Sequence, residues 1–228
     1  MQKLEVIYED NHIIVVKKQP NIPSQADKTG DMDMLTLIKD YIKEKHNKPG
    51  NVYLGLVHRL DRPVGGVMVF AKTSKAASRL SDQVREKVFK KKYLAVVDNK
   101  FENEKGILED YLYKDERNNI SKVVNKDKKN AKIAKLDYEV LEYNEVKNLT
   151  LVKVNLHTGR HHQIRVQLSH AGHSIFGDQK YGTRGQGKQI ALWAYELTIQ
   201  HPITKEEMTF KSLPESNGTW CIIRDLEI

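Results

Sequence analysis

The stretch that decides the fold of this 228-residue chain is His58-Arg59-Leu60-Asp61-Arg62-Pro63-Val64-Gly65-Gly66. Its one carboxylate, Asp61, stands among cations, an arrangement that favours the charged form of an acid. Pro63 restricts the backbone of Arg62, and the two glycines permit positive φ and leave room for a ligand. Taken alone, the segment favours a loop whose aspartate pairs with a local arginine. A catalytic carboxylate is the alternative.

Outward from this loop, the sequence alternates between strand and helix patterns. Residues 34–45 and a segment beginning at Thr73 or Ser74 have helical spacing, with Asp31 or Asp33 available to cap the first helix. The second helix is expected to end in Lys87 and Lys90–Lys92, and a third is expected at 161–171, with Gly172 after it. Strands are expected at 5–10, 13–16, 52–57, 67–71, 93–97, 136–141, 149–156, 191–199 and 207–211. The pattern predicts a single α+β domain over residues 1–228, with a large, mostly antiparallel sheet.

Two other segments carry groups that could bind RNA. Residues 156–166 place Arg160 and Arg165 at the start of a helical pattern, where free backbone N–H groups favour anions. Tyr93 follows Lys90–Lys92, and an aromatic ring beside cations can stack on a base while the cations hold phosphates. A solvated helix start and a core tyrosine are the alternatives. The strongly polar residues 114–135 are expected to form an exposed loop or hairpin tip.

Composition is that of an ordinary globular protein, with 30% charged and 39% hydrophobic residues. No apolar run reaches the roughly 18 residues that a membrane span needs, and acidic residues near the start argue against a signal peptide. The single cysteine, Cys221, excludes an intrachain disulfide and fits a reducing compartment, so we expect a cytoplasmic protein. The net charge of +8 is compatible with a nucleic-acid partner.

A metal site is considered because five of the nine histidines lie between His157 and His173. No cysteine accompanies these histidines, and the spacing HExxH is absent. We therefore expect no metal.

Together, the segments resemble the RluA family of RNA pseudouridine synthases. That family has a loop of the type HRLD, a strand of the type K-x-Y-x-A-x-V, and a late segment of the type TGR-x-HQIR…GD-x-x-YG. All three occur here in order, as HRLDRPVGG at 58–66, KKYLAVV at 91–97 and HTGRHHQIRVQLSHAGHSIFGDQKYG at 157–182. YEDNHIIVVKKQPNIPS at 8–24 and LWAYELTIQHP at 192–202 also fit, so the resemblance extends from about Leu4 to Leu213.

The resemblance implies a pseudouridine synthase catalytic domain, built on a large mixed, mostly antiparallel sheet flanked by helices, with the site in a central cleft. Asp61 would be the catalytic nucleophile or base, Arg165 its ion-pair partner, and Tyr93 the ring that packs on the target uracil. Arg59 would help to displace the target base. The other side chains expected to contact RNA are His58, Arg62, Arg160, Lys91 and Lys92.

The reaction implied by the resemblance is the isomerisation of uridine to pseudouridine in rRNA or tRNA, and it needs no cofactor. Many members carry Thr-Ser-Gly or Ser-Ser-Gly where this chain has Val64-Gly65-Gly66, which removes no catalytic group. We expect no S4-type RNA-binding domain of the kind that larger members carry, and a monomer is the default expectation.

Two rival functions remain. A glycosidic hydrolase would need a second carboxylate, and the only other motif carboxylate, Asp178, is better explained as structural. An inactive RNA-binding protein of the same fold would have no use for an acid in a phosphate-binding groove. The presence of Asp61, Tyr93 and Arg165 therefore favours the enzyme.

Overall fold

The computed structural model describes residues 4–47, 49–185 and 188–223, which form eleven strands and four helices. In chain order the elements are β1 (Glu5–Glu9), β2 (Ile13–Lys18), α1 (Met34–His46), β3 (Gly55–Leu56), β4 (Gly65–Ala71), α2 (Ser74–Arg85), β5 (Lys90–Asp98), β6 (Lys105–Asp115), β7 (Ile120–Val124), β8 (Lys132–Asn144), β9 (Leu149–Leu156), α3 (Gln163–His170), β10 (Leu192–Gln200), β11 (Glu207–Lys211) and a 3₁₀ helix (Gly218–Ile223). Among these residues, no helix is long and apolar enough to cross a membrane.

The described residues divide into two compact units, one of residues 4–90 and 194–213, the other of residues 91–193 and 214–223. Each unit combines strands with helices. The strand pairs with a defined register are antiparallel, as between β1 and β2 or β8 and β9. The α+β class expected from the sequence is confirmed.

In the first unit the strands follow the order β1-β2-β4-β10-β11, with β3 also paired to β4. Ile13 and Val15 of β2 pack with Val67 and Val69 of β4 and with Leu80 of α2, all of them buried. Both faces of β4 are buried along its whole length, which explains its continuous apolar run GGVMVFA.

The two helices of this unit begin where the sequence predicted. The Asp33 carboxylate accepts hydrogen bonds from the backbone N–H groups of Leu35 and Thr36, and the Thr73 hydroxyl accepts one from Ala76. These caps satisfy N–H groups that have no partner within the helix.

The end of the second helix differs from the prediction. α2 ends at Arg85, Lys87 has φ +60°, and Lys90–Lys92 are the first residues of β5. The three lysines therefore do not form a helix C-terminus. The apolar residues Ala77, Leu80, Val84 and Val88 keep helical spacing past Arg85, but the left-handed residue Lys87 turns the chain before Val88.

In the second unit the strands follow the order β5-β9-β8-β6-β7. α3 lies against this sheet, where Val166 packs with Leu112 of β6 and Ala134 of β8. The residues after α3 fit the prediction, since Ala171 is the C-cap and Gly172 has φ +87°. β6 was not predicted, because its sequence KGILEDYLYKD mixes charged and apolar residues on an exposed strand.

Glu9 is the centre of an ion-pair cluster at the edge of the first unit. Its carboxylate receives hydrogen bonds from Lys45 Nζ and Lys72 Nζ, each at 2.7 Å, and lies 3.0 Å from His46 Nε2. Burial would raise the pKa of Glu9, but the hydrogen bonds with Lys45, Lys72 and His46 lower it to about 2. Because this pKa is depressed, the cluster stabilises the fold above the unfolded pKa, and the stabilisation is lost as the pH falls from about 4.5 towards 2.

We predict that Glu9→Gln lowers the free energy of unfolding by about 1–3 kcal/mol at pH 7, because it leaves the half-buried Lys72 and the exposed Lys45 without their counter-charge. Urea unfolding at pH 7 and pH 3 measures the effect, and the difference from the wild type should narrow at pH 3. Glu145→Gln, at an exposed turn, is the control. If the free energy of unfolding differed from that of the wild type by the same amount at pH 7 and pH 3, the stabilising role of the ionised Glu9 would be contradicted.

Candidate active site

Asp61 opens a tight turn in the first unit, which Val64 closes by donating its backbone N–H to the Asp61 carbonyl at 2.9 Å. The preceding residue, Leu60, is pinned by the buried Ser24. The Ser24 hydroxyl donates to the Leu60 carbonyl at 2.9 Å and lies 3.2 Å from the Leu60 backbone nitrogen. The backbone on both sides of Asp61 is therefore fixed, while its side chain is only half-buried.

The buried lysine Lys18, at the end of β2, holds the same turn. Its side chain is fully buried, and Nζ donates to the carbonyls of Val64 at 2.6 Å, Arg62 at 2.9 Å and Gln19 at 3.2 Å. Three carbonyl oxygens match the three N–H donors of an ammonium group. Burial lowers the pKa of Lys18 to about 7, with the Asp61 charge raising it and Arg62 lowering it. Lys18 thus joins the turn both by hydrogen bonds and by charge.

Close backbone packing explains one of the two glycines after the turn. Gly66 has φ +128°, and a Cβ at this position would lie 2.2 Å from the Ala194 carbonyl oxygen. A side chain here would separate β4 from β10. The glycine that the sequence suggested as room for a ligand is therefore required by the sheet itself.

The three basic neighbours of Asp61 differ in their surroundings. Arg59 is exposed and makes no hydrogen bond or ion pair with the other residues that the structure describes. Arg62 contacts Asp31, donates to the Thr29 hydroxyl at 3.0 Å and lies 3.6 Å from Asp27. Arg62 is therefore held by the exposed acidic loop 27–31, and Arg59 is not.

His58 is tied into the interior of the first unit. Its Nε2 accepts a hydrogen bond from the Val69 backbone N–H at 3.1 Å, and its ring lies edge-on to Phe89 with centroids 5.0 Å apart. An accepting Nε2 is unprotonated, so a neutral His58 carries its proton on Nδ1. These contacts fix the start of the HRLD segment.

In the second unit, strand alternation separates residues that the sequence grouped together. Lys91 and Tyr93 project from one face of β5, and Lys92 projects from the other, where it is paired with Asn155. Lys92 lines an open cavity of about 430 Å³ with Lys105, Asp137 and other residues of that face. Lys91 and Lys92 therefore lie on opposite faces of the sheet and do not belong to one binding surface.

Tyr93 shares its face with the helix that carries Arg165. Tyr93 is paired with Val154, and Val154 with Tyr138. Two alternations further along β8, Ala134 lies on the same face and packs against Val166 of α3. The structure thus brings Tyr93 and α3 to one side of this sheet. Tyr93 is almost fully buried.

Arg165 is buried and has a carboxylate partner that the sequence did not suggest. Its Nε and Nη2 donate to Oδ2 and Oδ1 of Asp178, both at 2.7 Å, and the Asp178 side chain has no exposed surface. Burial would raise the pKa of Asp178, but Arg165 and the backbone N–H groups of Lys180 and Tyr181 hold it below its usual value. A bidentate pair of this kind fixes the plane of the guanidinium.

Arg160 lies before α3 and is partly engaged. Its Nε donates to the Ile133 carbonyl at 2.9 Å, and its backbone N–H donates to the Gln163 side-chain oxygen at 3.0 Å. Lys91 lies nearby, with Nζ 3.3 Å from the position that a Cβ on Gly159 would take, and burial lowers the pKa of Lys91. The segment 158–160 and Lys91 form a local cationic surface in the second unit.

Sequence reasoning missed Lys18 and underestimated Asp178. A lysine at the end of an apolar strand, Ile13-Ile14-Val15-Val16-Lys17-Lys18, was a possible signal, since the alternation places one of the two lysines inside. Among the described residues, no group of three or more His, Cys, Asp or Glu side chains is placed to hold a metal ion.

Comparison with known proteins gives a consistent match. Residues 12–170 match the family described as RNA pseudouridylate synthase. The dual-specificity RNA pseudouridine synthase RluA of Escherichia coli O157:H7 is 34% identical over 215 residues, covering 92% of this chain and 92% of that protein. The tRNA pseudouridine synthase C of Haemophilus influenzae is 31% identical over 227 residues, covering 90% and 91%.

Other relatives are longer. The uncharacterized RNA pseudouridine synthase YhcT of Bacillus subtilis is 31% identical over 207 residues, which are 90% of this chain, and the chain spans 66% of that protein's length. Among solved structures, human RNA pseudouridylate synthase domain containing 4 superposes with a TM-score of 0.77 at 22% identity, covering 92% of this chain and 89% of that one. This last likeness concerns the fold.

We predict that Lys18→Met loosens the turn at Asp61 and lowers the free energy of unfolding by about 1–3 kcal/mol. The reason is that the carbonyls of Arg62 and Val64 lose the hydrogen-bond donor that Lys18 supplies inside the protein. Amide hydrogen exchange is the local measurement, and the N–H groups of Val64 and Asn21, which bond to the Asp61 and Arg62 carbonyls, should exchange faster. Lys17→Met, at the neighbouring and less buried position of the same strand, is the matched control. Unchanged exchange at Val64 would refute the role.

Proposed function

The chain belongs to the RNA pseudouridylate synthase family, and on that premise we propose that it isomerises uridine to pseudouridine in RNA. The observation that carries the proposal is the Asp61 turn. Its backbone is fixed by Lys18 and Ser24, while Asp61 itself is only half-buried. A rigid backbone under an accessible acid is what a nucleophile or base requires.

The proposed reaction breaks the N1–C1′ bond of a uridine and forms a C5–C1′ bond. The proton on C5 is released and N1 gains one, so no group is added and no electron is exchanged. Asp61 would attack C1′ or C6, or remove a sugar proton, and the detached uracil would rotate before it is recaptured. The protein must therefore hold a free base in place between two covalent steps.

We propose that Tyr93 and Arg165 complete the site with Asp61. Tyr93 would pack on the uracil, and Arg165 would pair with the Asp61 carboxylate. In support, Tyr93 and α3 lie on the same face of the second unit's sheet, and the Arg165 guanidinium has a fixed plane. An arginine held in this way can align a carboxylate without first losing side-chain freedom.

RNA binding would use the cations around these groups. Arg59 is available for displacement of the target base, and Arg160 and Lys91 form a cationic surface beside α3. His58, Arg62 and Lys92 remain proposed RNA contacts. Lys92 projects from the face of β5 opposite to Tyr93, so it would hold a different part of the RNA from Lys91. Phosphate contacts of this kind give affinity without sequence preference.

The proposed substrate is rRNA or tRNA. Two relatives with matching lengths are named for tRNA and for dual specificity, and the net charge of +8 suits a polyanion. We propose further that residues 1–228 act as one catalytic domain, as a monomer, in the cytoplasm.

We predict that Asp61→Asn reduces isomerisation by roughly 10³-fold or more, the scale expected for loss of a nucleophile, while RNA binding changes by less than about threefold. Tritium release from transcripts of the host tRNA and rRNA genes, labelled at C5 of uridine, measures turnover. Asp82→Asn, on the exposed side of α2, is the control. Full tritium release by Asp61→Asn would end the proposal, and release of free uracil by the wild type would favour a hydrolase.

We predict that Arg59→Ala slows the reaction more for a uridine within a stem than for the same uridine in an unstructured oligonucleotide, by a ratio of about 10. The reason is that displacement from the stack costs a few kcal/mol only when the base is stacked. Comparison of kcat/KM on the two RNAs tests this, with Arg85→Ala on α2 as the control. Equal losses on both RNAs would assign Arg59 to phosphate binding instead.

A further inference from the structure

Asp178 is a fully buried acid, and its carboxylate makes a bidentate contact with Arg165. Oδ2 accepts from Arg165 Nε, and Oδ1 accepts from Arg165 Nη2 and from the backbone N–H groups of Lys180 at 2.9 Å and Tyr181 at 3.2 Å. The carboxylate is therefore held by two backbone donors on one side and presents its oxygens to the arginine on the other.

The segment around Asp178 has a sequence that this geometry requires. Gly177 has φ +76°, and a Cβ there would lie 2.5 Å from the Gln189 carbonyl oxygen. Gly182 donates its backbone N–H to the Asp178 carbonyl at 2.9 Å, and a Cβ on it would lie 2.6 Å from that same oxygen. Both glycines of Gly177-Asp178-Gln179-Lys180-Tyr181-Gly182 thus serve to close a turn around the acid.

Tyr181 supports the arginine from a second direction. The Arg165 guanidinium carbon lies 5.3 Å from the centroid of the Tyr181 ring, within the range of a cation–π contact. The Tyr181 hydroxyl accepts from the Ser121 backbone N–H at 2.7 Å and lies 2.8 Å from His162 Nδ1. The ring is fixed at its hydroxyl end by β7 and by the residue that precedes α3.

We propose that Asp178 is a positioning residue for the isomerisation: it holds the Nε–Nη2 edge of Arg165 and so fixes the direction in which Nη1 points. The inference rests on the proposed function, in which Arg165 pairs with Asp61. It assigns the acid of the GDQKYG segment a role in turnover in addition to its contribution to folding.

The charge balance gives a second reason for the pairing. Arg165 and Asp178 together are neutral, so the proposed partner Asp61 would meet an oriented N–H donor instead of an uncompensated cation. An uncompensated cation would bind the carboxylate more tightly and make it a weaker nucleophile. The buried pair therefore supplies direction while leaving the reactivity of the acid largely intact.

A double-mutant cycle tests the proposal. Asp178→Asn, Arg165→Met and the double variant are compared by single-turnover tritium release from the C5-labelled tRNA and rRNA transcripts, with RNA affinity measured on the same transcripts. We expect Asp178→Asn to slow turnover by about 10- to 100-fold, the scale of a small misplacement of a catalytic group, with RNA affinity within about threefold. In the Arg165→Met background, Asp178→Asn should slow turnover no further.

The outcomes separate this inference from the proposed function. If Arg165→Met turns over at the wild-type rate, the role of Arg165 in the proposed function fails. If Arg165→Met is slow but Asp178→Asn is not, only the positioning role fails. Independent, multiplicative losses in the double variant would show that Asp178 acts through general stability, and this also overturns the inference.

Loss of stability alone is controlled by Glu9→Gln, which removes another buried carboxylate bound to cations and should leave single-turnover rates unchanged. If Asp178→Asn does not fold, Asp178→Glu replaces it in the cycle. Glutamate keeps the charge and moves the carboxylate by one methylene. The proposal is supported if Asp178→Glu slows turnover in the wild-type background and slows it no further in the Arg165→Met background. Turnover by Asp178→Glu at the wild-type rate overturns it.

Discussion

The buried ammonium group of Lys18 is the constraint on which the candidate site depends most directly. A charge without exposed surface is unfavourable unless its donors are satisfied, and Lys18 is satisfied by carbonyls of Val64, Arg62 and Gln19. Two of these carbonyls belong to the turn that Asp61 opens. The turn must therefore adopt a shape in which the carbonyls of Arg62 and Val64 point towards Lys18, while Asp61 stays half-buried.

The second unit also contains a buried cation, and there a side chain supplies the acceptors. Arg165 is buried on α3, and its plane is fixed by Asp178 instead of by carbonyls. Breaking such a pair by removing one partner leaves an uncompensated buried charge, which commonly costs several kcal/mol. Among the described residues, each unit thus contains a buried cation held by acceptors within that unit, Lys18 by backbone carbonyls and Arg165 by Asp178. A residue proposed to act on the substrate accompanies each cation. In the first unit it is Asp61, in the turn that Lys18 holds, and in the second unit it is Tyr93, on the same sheet face as α3.

Much of this arrangement could be predicted from local sequence patterns. The caps at Asp33 and Thr73 and the αL glycine after α3 follow from short-range hydrogen bonding, which the sequence encodes within a few residues. Two features could not be predicted, because they depend on contacts between separate segments. Lys18 meets the carbonyls of Arg62 and Val64, 44 and 46 positions away, and Asp178 pairs with Arg165 of α3, 13 positions before it. The end of α2 was missed for a local reason, the left-handed conformation of Lys87.

The two arginines beside Asp61 differ in their contacts, and this difference bears on their proposed roles. Arg62 is already bound by Asp31 and Asp27, whereas Arg59 has no ion-pair partner among the described residues. The acids that hold Arg62 are well exposed, and ion pairs between exposed groups contribute little to stability. A phosphate could therefore replace them at small cost, since it offers the same oxygen acceptors and more charge. The pairing of Arg62 is compatible with RNA binding, but it makes Arg59 the arginine that can act without first giving up a partner.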